Sequence, residues 1–113
     1  MSNRRLNFSQ VISMYTDHAE EIICLLEEWD ELQSTLDVMG YTGTHVLVDR
    51  DDPRHLMIVA EFASVEPGVS AWDEAQKNND RPQTNEWAAR MRELIDGEPE
   101  WLNFDEVYRT DAV

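Results

Sequence analysis

The sequence predicts an α+β domain in which helices cover one face of an antiparallel sheet. Four segments have the β-branched, aromatic and partly alternating composition of strands, and between them apolar residues recur at helical spacing. Two of the strand segments are joined by a short polar loop, as in a hairpin. The 113 residues fit one domain, residues 1–113, with its core from about residue 8 to residue 109.

The first strand is predicted over Phe8–Tyr15. Thr16 or Asp17 can cap the helix that follows, because their side-chain oxygens accept hydrogen bonds from free backbone N–H groups. This helix is expected to run to about Asp37, and Gly40 can terminate it. Its apolar stripe consists of Ile22, Leu25, Leu26, Trp29, Leu32 and Leu36.

A hairpin is predicted next, with strands over Thr44–Asp49 and His55–Phe62. The loop between them, Arg50–Arg54, is polar, and its Pro53 cannot donate to a strand ladder. Ser64 is expected to cap the following helix.

Two further helices and a strand complete the chain. The helix after Ser64 is predicted over residues 65–78 and ends at the break Asn79–Pro82. Thr84 or Asn85 starts the next helix, which Gly97 ends. Its apolar face carries Trp87, Met91, Leu94 and Ile95. The last strand is predicted over Glu100–Arg109, alternating around Leu102, Phe104 and Tyr108.

This order of elements is the ferredoxin-like split βαβ plan, with an antiparallel sheet and helices on one face. The third strand is apolar on both alternations, with Leu56 and Ile58 on one side and Met57 and Val59 on the other. A sheet apolar on both faces is usually buried on both. Since helices cover one face, a second copy of the chain is expected to cover the other, forming a homodimer.

Composition excludes several classes of partner. The formal net charge of −15 and the high acidic content argue against binding nucleic acid or anionic membranes. No apolar run is long enough to span a bilayer, and no signal-peptide pattern is visible. The single Cys24 cannot form an internal disulfide, so a cytoplasmic location is expected. Inside its apolar helix segment, Cys24 is expected to be a small buried hydrophobe rather than a nucleophile.

A family resemblance is carried by three stretches. The third strand ends in "VAEFAS" (residues 59–64), "VSAW" follows (residues 69–72), and "TNEWAARMRELIDGEPEW" comes next (residues 84–101). With this order of elements, the chain from about Phe8 to Tyr108 resembles the antibiotic biosynthesis monooxygenase (ABM) type domain of the dimeric α/β barrel superfamily. The resemblance implies a dimeric α/β barrel whose ligand site lies between the sheet and the helices of each subunit.

The resemblance also implies a range of activities, including cofactor-free oxygenases of polycyclic aromatic molecules and haem-degrading oxygenases. The haem-degrading branch has an asparagine on the first strand, a tryptophan after strand three and a histidine on the next helix. Trp72 could match the tryptophan, but Asn7 precedes the first strand and no histidine follows His55. No cofactor is therefore expected.

Four tryptophans present a choice between core and ligand site. Trp72 could form the wall of a ligand pocket, through its ring face or its indole N–H, or could fill the core between helix and sheet. Trp29 and Trp87 lie on apolar helix stripes and are expected in the core. Trp101 begins the last strand and could lie at a dimer interface.

Candidate catalytic residues are His45 and Asp105, which could move a proton if they faced the cavity. Tyr15, Met57 and Asn103 are the other candidate lining residues, with Trp72. The alternative is that these side chains satisfy strand ends or dimer contacts.

The two hairpin histidines could also form a His/Asp/Glu group if they approached each other across the hairpin. His45 shares a face with Asp49, and His55 shares one with Glu61. No spacing is diagnostic of a metal site, so none is expected, and both histidines could equally be solvated or lie at opposite ends of the hairpin.

The predicted function is a small dimeric cofactor-free monooxygenase acting on an aromatic or polyketide-like molecule. The alternative is a non-catalytic dimeric module that binds a small ligand or a partner. A stress-related or quinone-handling protein of the same fold lies between the two.

Overall fold

The computed structural model describes residues 7–34 and 40–110, which form four strands and three helices in the order βαββααβ. The elements are β1 Phe8–Tyr15, α1 Ala19–Ser34, β2 Tyr41–Asp49, β3 Asp52–Phe62, α2 Ala71–Asn79, α3 Pro82–Arg92 and β4 Asp96–Asp105. The predicted end of the first helix near Asp37 lies outside the described residues.

The strands form one antiparallel sheet in the order β2-β3-β1-β4. In the middle of the sheet, Val11 is opposite both Val59 of β3 and Leu102 of β4. The predicted ferredoxin-like α+β architecture is confirmed.

Alternation along the strands divides the sheet into two faces. The helix face carries Phe8, Ile12 and Met14 of β1, all nearly buried, while the open face carries Ser9, Val11, Ser13 and Tyr15. The main core joins the helix face to helices α1 and α3 and consists of Ile12, Met14, Ile22, Leu25, Leu26, Trp29, Leu56, Ile58, Trp87 and Met91. Helices therefore cover one face only, as predicted.

The start of α2 corrects the predicted boundary. The helix begins at Ala71, and its cap is Ser70 instead of Ser64. The Asp73 N–H donates to Ser70 Oγ over 3.1 Å and the Ser70 N–H donates to the Asp73 carboxylate over 3.3 Å, which makes a capping box. The Ser64 hydroxyl instead donates to the Val69 carbonyl over 2.7 Å.

The predicted boundaries around α3 were also wrong by several residues. Helix α3 begins at Pro82, whose missing N–H costs nothing at the first helical position, and ends at Arg92. Strand β4 then spans Asp96–Asp105 rather than Glu100–Arg109. Gly97 lies within this strand at φ +69°, a left-handed conformation that glycine adopts without strain.

The hairpin loop is shorter than predicted because β3 begins at Asp52 and includes Pro53. Val48 is opposite Leu56, whereas Asp49 is opposite Asp52, so the register shifts and Pro53 falls in an irregular stretch of the β2–β3 ladder. Proline is tolerated at such a bulge, where no ladder hydrogen bond is required of it.

Cys24 contradicts the sequence prediction, because it is an exposed free thiol. It lies on the outer side of α1, beside Ile23, which is 39% exposed. Local apolar composition was misleading here, since the buried stripe of the helix turns away from residues 23 and 24.

One carboxylate is buried in the helix layer. Glu74 of α2 is fully buried, and neither of its oxygens has a hydrogen-bond partner among the described residues. A Cβ atom placed on Gly40 would lie 2.3 Å from Glu74 Cγ, so the chain at residue 40 approaches α2 too closely for any other residue. The Lys77 ammonium lies 3.8 Å from Glu74, and burial raises the pKa of the Glu74 carboxyl.

Candidate functional site

A cavity of about 240 Å³ lies between the helix face of the sheet and the helices. Strands contribute Gln10, Ile12, Thr44, Ile58 and Trp101, and helices α1 and α3 contribute Leu26, Trp29, Thr84, Asn85, Trp87, Ala88 and Arg92. The end of α2 adds Asn78 and Asn79. Its volume is just below the roughly 300–1,000 Å³ typical of small-molecule sites, which suits a compact ligand.

Three tryptophans form the aromatic walls of this cavity. Trp29 and Trp87 are 6% and 8% exposed, which confirms their predicted place in the core, and Trp101 is 38% exposed. Trp101 lies opposite Ile12 and therefore on the helix face, not on the open face. Flat aromatic surfaces of this kind suit a planar ring system.

One of these walls carries an unused hydrogen-bond donor. The Trp87 indole N–H is inaccessible to solvent and has no partner within residues 7–34 and 40–110. The Trp29 indole N–H, in contrast, donates to Thr84 Oγ1 over 3.4 Å. A buried indole N–H usually finds a partner, so Trp87 is an unsatisfied donor in the wall of the cavity.

The remaining lining groups are mostly neutral amides and hydroxyls. Among the lining residues the structure describes, Arg92 alone carries a charge, and Glu98 lies 4.0 Å from its guanidinium. No histidine or carboxylate is among them. In a chain of net charge −15, this makes the cavity a place where a phenolate or similar anion would meet a cation and hydrogen-bond donors.

Tyr41 contacts two residues that line the cavity, Trp29 and Thr44. Its ring lies edge-on to Trp29, with centroids 5.2 Å apart. Its hydroxyl donates to Asp30 over 3.1 Å and shares a second hydrogen bond with Thr44, a lining residue. Burial raises the pKa of Tyr41 to about 12; the Thr44 hydrogen bond opposes this rise, and Asp30 adds to it.

The six residues proposed from sequence do not line this cavity. His45 and Met57 are opposite Val59 and Leu47, and Tyr15 is opposite His55, so all three lie on the open face. Because side chains alternate between faces, these three could reach the cavity only through the sheet.

The other three lie on the side of the helices but at its edge. Trp72 is 45% exposed and meets Phe8 edge-on at 5.0 Å, so it is neither fully core nor a wall of the cavity. Asn103 is opposite Gln10, and Asp105 is opposite Phe8; both are exposed. The catalytic roles of His45 and Asp105 stay predictions.

Of the two possibilities for the hairpin histidines, the structure shows the one in which they lie at opposite ends of the hairpin. His45 Nδ1 lies 3.6 Å from Glu61, whose other oxygen lies 3.5 Å from Arg109, while His55 lies near Asp49 at the opposite end of the hairpin. Within the described part of the chain, no group of three or more His, Cys, Asp or Glu side chains is arranged to hold a metal ion.

Sequence reasoning missed the polar lining of the cavity. Asn79 was interpreted as part of a helix break and Asn85 as a possible helix start. Both positions flank the α2–α3 junction, which folds over the sheet. The local signal, a cluster of amide side chains around a proline, predicts a turn and carries no information about what the turn covers.

The comparisons with known proteins identify the fold. No family model and no curated protein matches the sequence. Among solved structures, SnoaB from Streptomyces nogalater, a cofactor-independent oxygenase, superposes with a TM-score of 0.71 at 14% identity, over 91% of this chain and 95% of that one. A Caulobacter crescentus protein assigned as an antibiotic biosynthesis monooxygenase gives a TM-score of 0.71 at 11% identity, over 92% of both chains.

A conserved protein from Methanosarcina mazei gives a TM-score of 0.66 at 17% identity, over 88% of this chain and 91% of that one. The chain therefore has the fold of ABM-type domains, as the sequence resemblance predicted. Among the described helices, none has the length and apolar character needed to cross a membrane.

Proposed function

We propose that the protein binds a compact planar aromatic molecule in the cavity between sheet and helices and oxidises it as a cofactor-independent monooxygenase. The observation that carries this proposal is the three-tryptophan cavity, with its unpaired Trp87 donor and its single cation, Arg92. Two supports are the shared fold with SnoaB, a cofactor-independent oxygenase, and the position of the cavity where the ABM resemblance places a ligand.

The chemistry begins with an electron-rich phenol such as 1-naphthol. Arg92 and the amide donors favour its phenolate, whose proton passes to solvent water, and the phenolate passes one electron to O₂. The resulting radical and superoxide combine at the para carbon, and loss of water gives the quinone. One oxygen atom of O₂ enters the product and the other leaves as water, so the substrate itself supplies the electrons. No described lining side chain is a histidine or a carboxylate. The role proposed for the lining residues is therefore to position and polarise the substrate.

The test is oxygen uptake by the protein with 1-naphthol, with ¹⁸O₂ incorporation into the quinone measured by mass spectrometry. Trp101→Leu removes one aromatic wall of the cavity. It is expected to raise KM for 1-naphthol on the order of tenfold, because about 1–1.5 kcal/mol of stacking energy is lost. Tyr108→Leu, an exposed aromatic of the same chain end, is the matched control and should change nothing. Oxygen uptake no faster than in buffer would contradict the oxygenase.

A second candidate, a non-catalytic binding module, is favoured by the lack of an acid–base residue in the described lining of the cavity. The two functions separate in one titration. If the protein only binds, 1-naphthol should quench its tryptophan fluorescence without any consumption of oxygen. Trp101→Leu should then weaken binding by the same factor.

We also propose that a second copy of the chain covers the open face. This face carries Val11, Leu47, Met57, Val59, Leu102 and Phe104, of which Leu47 and Phe104 are 48% and 51% exposed. An exposed group of apolar side chains on a sheet face is favourably covered, and an isologous dimer supplies a cover.

Adjacent residues of β2 provide a matched test of the dimer. Leu47 and Val48 are similarly exposed, at 48% and 52%, but point to opposite faces. Leu47→Glu should convert a dimer to a monomer in analytical ultracentrifugation, and Val48→Glu should leave it dimeric. A monomeric wild-type protein would overturn this part of the proposal.

We propose a cytoplasmic location because the thiol of Cys24 is exposed and unpaired, and a reducing compartment keeps such a thiol reduced. Alkylation of Cys24 in intact cells before lysis would show the free thiol in place, and a mixed disulfide there would argue for an oxidising compartment.

A further inference from the structure

The helix wall of the cavity is polar at both ends and apolar in the middle. On α3, Asn85, Ala88 and Arg92 follow one another at three- and four-residue steps, so they lie on one face of the helix, and all three line the cavity. Arg92 lies about 10 Å further along the helix axis than Asn85. Helix α3 therefore presents an amide at one end of the cavity and a guanidinium at the other.

The sheet wall begins with the same order. Gln10 of β1 and Thr44 of β2 are opposite the same residue of β3, so they lie in one cross-strand row. The next row on this face holds Ile12 and Trp101, which are opposite each other. All four side chains line the cavity. Along β1 the lining therefore changes from hydrogen-bonding groups to apolar ones.

The two walls run in the same direction. At one end, Thr16 Oγ1, just after β1, donates to the Leu94 carbonyl, just after α3, over 2.6 Å. At the other end, the Trp29 indole N–H donates to Thr84 of α3, and its ring lies edge-on to Tyr41 at the start of β2. The amide of α3 therefore lies at the polar end of the sheet wall and the guanidinium at the opposite end, with the aromatic walls between them.

The guanidinium of Arg92 is only weakly engaged by the protein itself. Glu98 of β4 lies 4.0 Å from it, which is too far for a hydrogen bond, and the Glu98 side chain is 88% exposed. Arg54 and Arg109, in contrast, lie 2.8 Å and 2.6 Å from their carboxylate partners. A long, exposed ion pair contributes little, so a ligand anion can replace Glu98 at little cost.

The two ends of the cavity suit two different groups on one ligand. A planar guanidinium can donate two parallel hydrogen bonds to a carboxylate, whereas side-chain amides both donate to and accept from a neutral hydroxyl. The single oxygen of 1-naphthol can occupy either end but not both. A second oxygen-bearing group on the far ring would fix the orientation of the molecule.

We propose that the cavity selects planar aromatic substrates that carry a carboxylate at one end and a phenolic hydroxyl at the other, and that Arg92 is the specificity residue that binds the carboxylate. The inference rests on the proposed function in that the substrate occupies this cavity. The phenolic oxygen then lies near the amides of Asn85 and Gln10, and the fused rings lie between the tryptophans. A suitable probe is 5-hydroxy-2-naphthoate, which is 1-naphthol with a carboxylate on the far ring and the para carbon still free.

The experiment compares 5-hydroxy-2-naphthoate with its neutral carboxamide by isothermal titration calorimetry of the full-length protein, under nitrogen and at neutral pH. The wild-type protein should bind the acid on the order of tenfold more tightly, because Arg92 is half-exposed and solvent screens part of the charge-assisted hydrogen bonding. The net charge of −15 opposes any anion, so a preference for the acid cannot come from the overall field of the chain. Arg92→Gln should remove the preference and leave the affinity for the carboxamide nearly unchanged.

Two further variants separate Arg92 from a general effect of charge. Arg90→Gln removes a similarly exposed arginine of the same helix that lies outside this cavity and pairs with Glu28, and it should keep the preference for the acid. Glu98→Gln removes the competing carboxylate and should tighten binding of the acid about twofold without changing that of the carboxamide. Circular dichroism melting checks that each variant remains folded.

The outcomes for Arg92 and for the oxygenase are distinguishable. Binding of the acid that depends on Arg92, without oxygen uptake, would contradict the oxygenase and support the role of Arg92. Oxidation of 1-naphthol by a protein that binds acid and carboxamide equally would overturn the role of Arg92 alone. A preference for the acid that survives Arg92→Gln, or binding of neither compound, would overturn it as well.

Discussion

The two faces of the sheet carry different side chains although they share the same strands. The helix face buries apolar side chains and, with the helices, encloses a cavity of tryptophans, amides and one arginine. The open face carries His45, Glu61, Ser13 and His55, which are groups that can accept or transfer protons. Because alternate residues point to opposite faces, one strand presents different groups to the cavity and to the open side of the sheet. The histidines and carboxylates of the sheet therefore lie away from the cavity.

The largest expected effect concerns two adjacent residues of β3 that lie on opposite faces of the sheet. Ile58 is 2% exposed on the helix face, and Val59 is partly buried on the open face. Ile58→Ala should lower the free energy of unfolding by about 2–5 kcal/mol because it leaves a cavity in a packed core. Val59→Ala should lower the free energy of unfolding of the monomer by about 1 kcal/mol. Urea denaturation followed by circular dichroism measures both, and equal losses would mean that the faces are packed alike.

Gly40→Ala should produce the next largest effect. A methyl group at residue 40 collides with Glu74 Cγ at 2.3 Å, and the overpacking should cost about 1–3 kcal/mol of unfolding free energy. The double variant Gly40→Ala/Glu74→Ala removes the colliding atoms and should recover part of the loss in the same denaturation experiment. Additive losses in the double variant would show that residue 40 and α2 do not touch.

The buried acid of the helix layer gives a pH-dependent effect. Burial, reinforced by the nearby Glu66 and opposed by Lys77, raises the pKa of Glu74 above its ordinary value near 4.5. The folded protein therefore binds an extra proton just above that pH, and the contribution of Glu74 to stability falls as pH rises through the raised pKa.

Glu74→Gln, which stays neutral, should gain stability relative to wild type as pH rises above 4.5. Melting temperatures of the pair across that range test the prediction, with the exposed Glu86→Gln as the control. A constant difference between wild type and Glu74→Gln would mean that Glu74 ionises normally.

Tyr41 gives the smallest expected effect. Its pKa of about 12, against an ordinary 10.0, means that the phenol stays protonated in the folded protein while it ionises in the unfolded chain. The corresponding stabilisation is present below pH 10 and is lost as pH rises towards 12. The phenolate absorbance of wild type minus that of Tyr41→Phe should titrate near pH 12, and a midpoint near pH 10 would show that Tyr41 is solvated.

The strands and their order were predictable from sequence because alternation and β-branched residues are local signals. Trp29 and Trp87 were also placed correctly, since helical spacing identifies a buried stripe. The α2 boundary was missed because Ser64 and Ser70 are both good caps, and only Ser70 has an acidic residue three positions later to close the box.

The side-chain clusters were less predictable because they depend on register and on long-range folding. On the open face, Ser13 Oγ lies 2.8 Å from His55 Nε2 only because Tyr15 is opposite His55 in the β1–β3 ladder, and a slip of one residue would send the two side chains to opposite faces. Asn78 and Asn85 reach the cavity through the turn between α2 and α3, and nothing local shows which part of the sheet that turn covers. Histidine is a common catalytic residue, but residue type alone does not specify the face of a sheet on which a side chain lies.

The most direct test of the separation between faces is a ¹H–¹⁵N NMR titration of the protein with 1-naphthol, followed at the tryptophan indole and histidine ring signals. We expect shifts for the indoles of Trp29, Trp87 and Trp101, and no shifts for Trp72 on the outer edge or for His45 and His55 on the open face. Shifts at His45 or His55 with unmoved indoles at Trp29, Trp87 and Trp101, or no shifts at all, would contradict it.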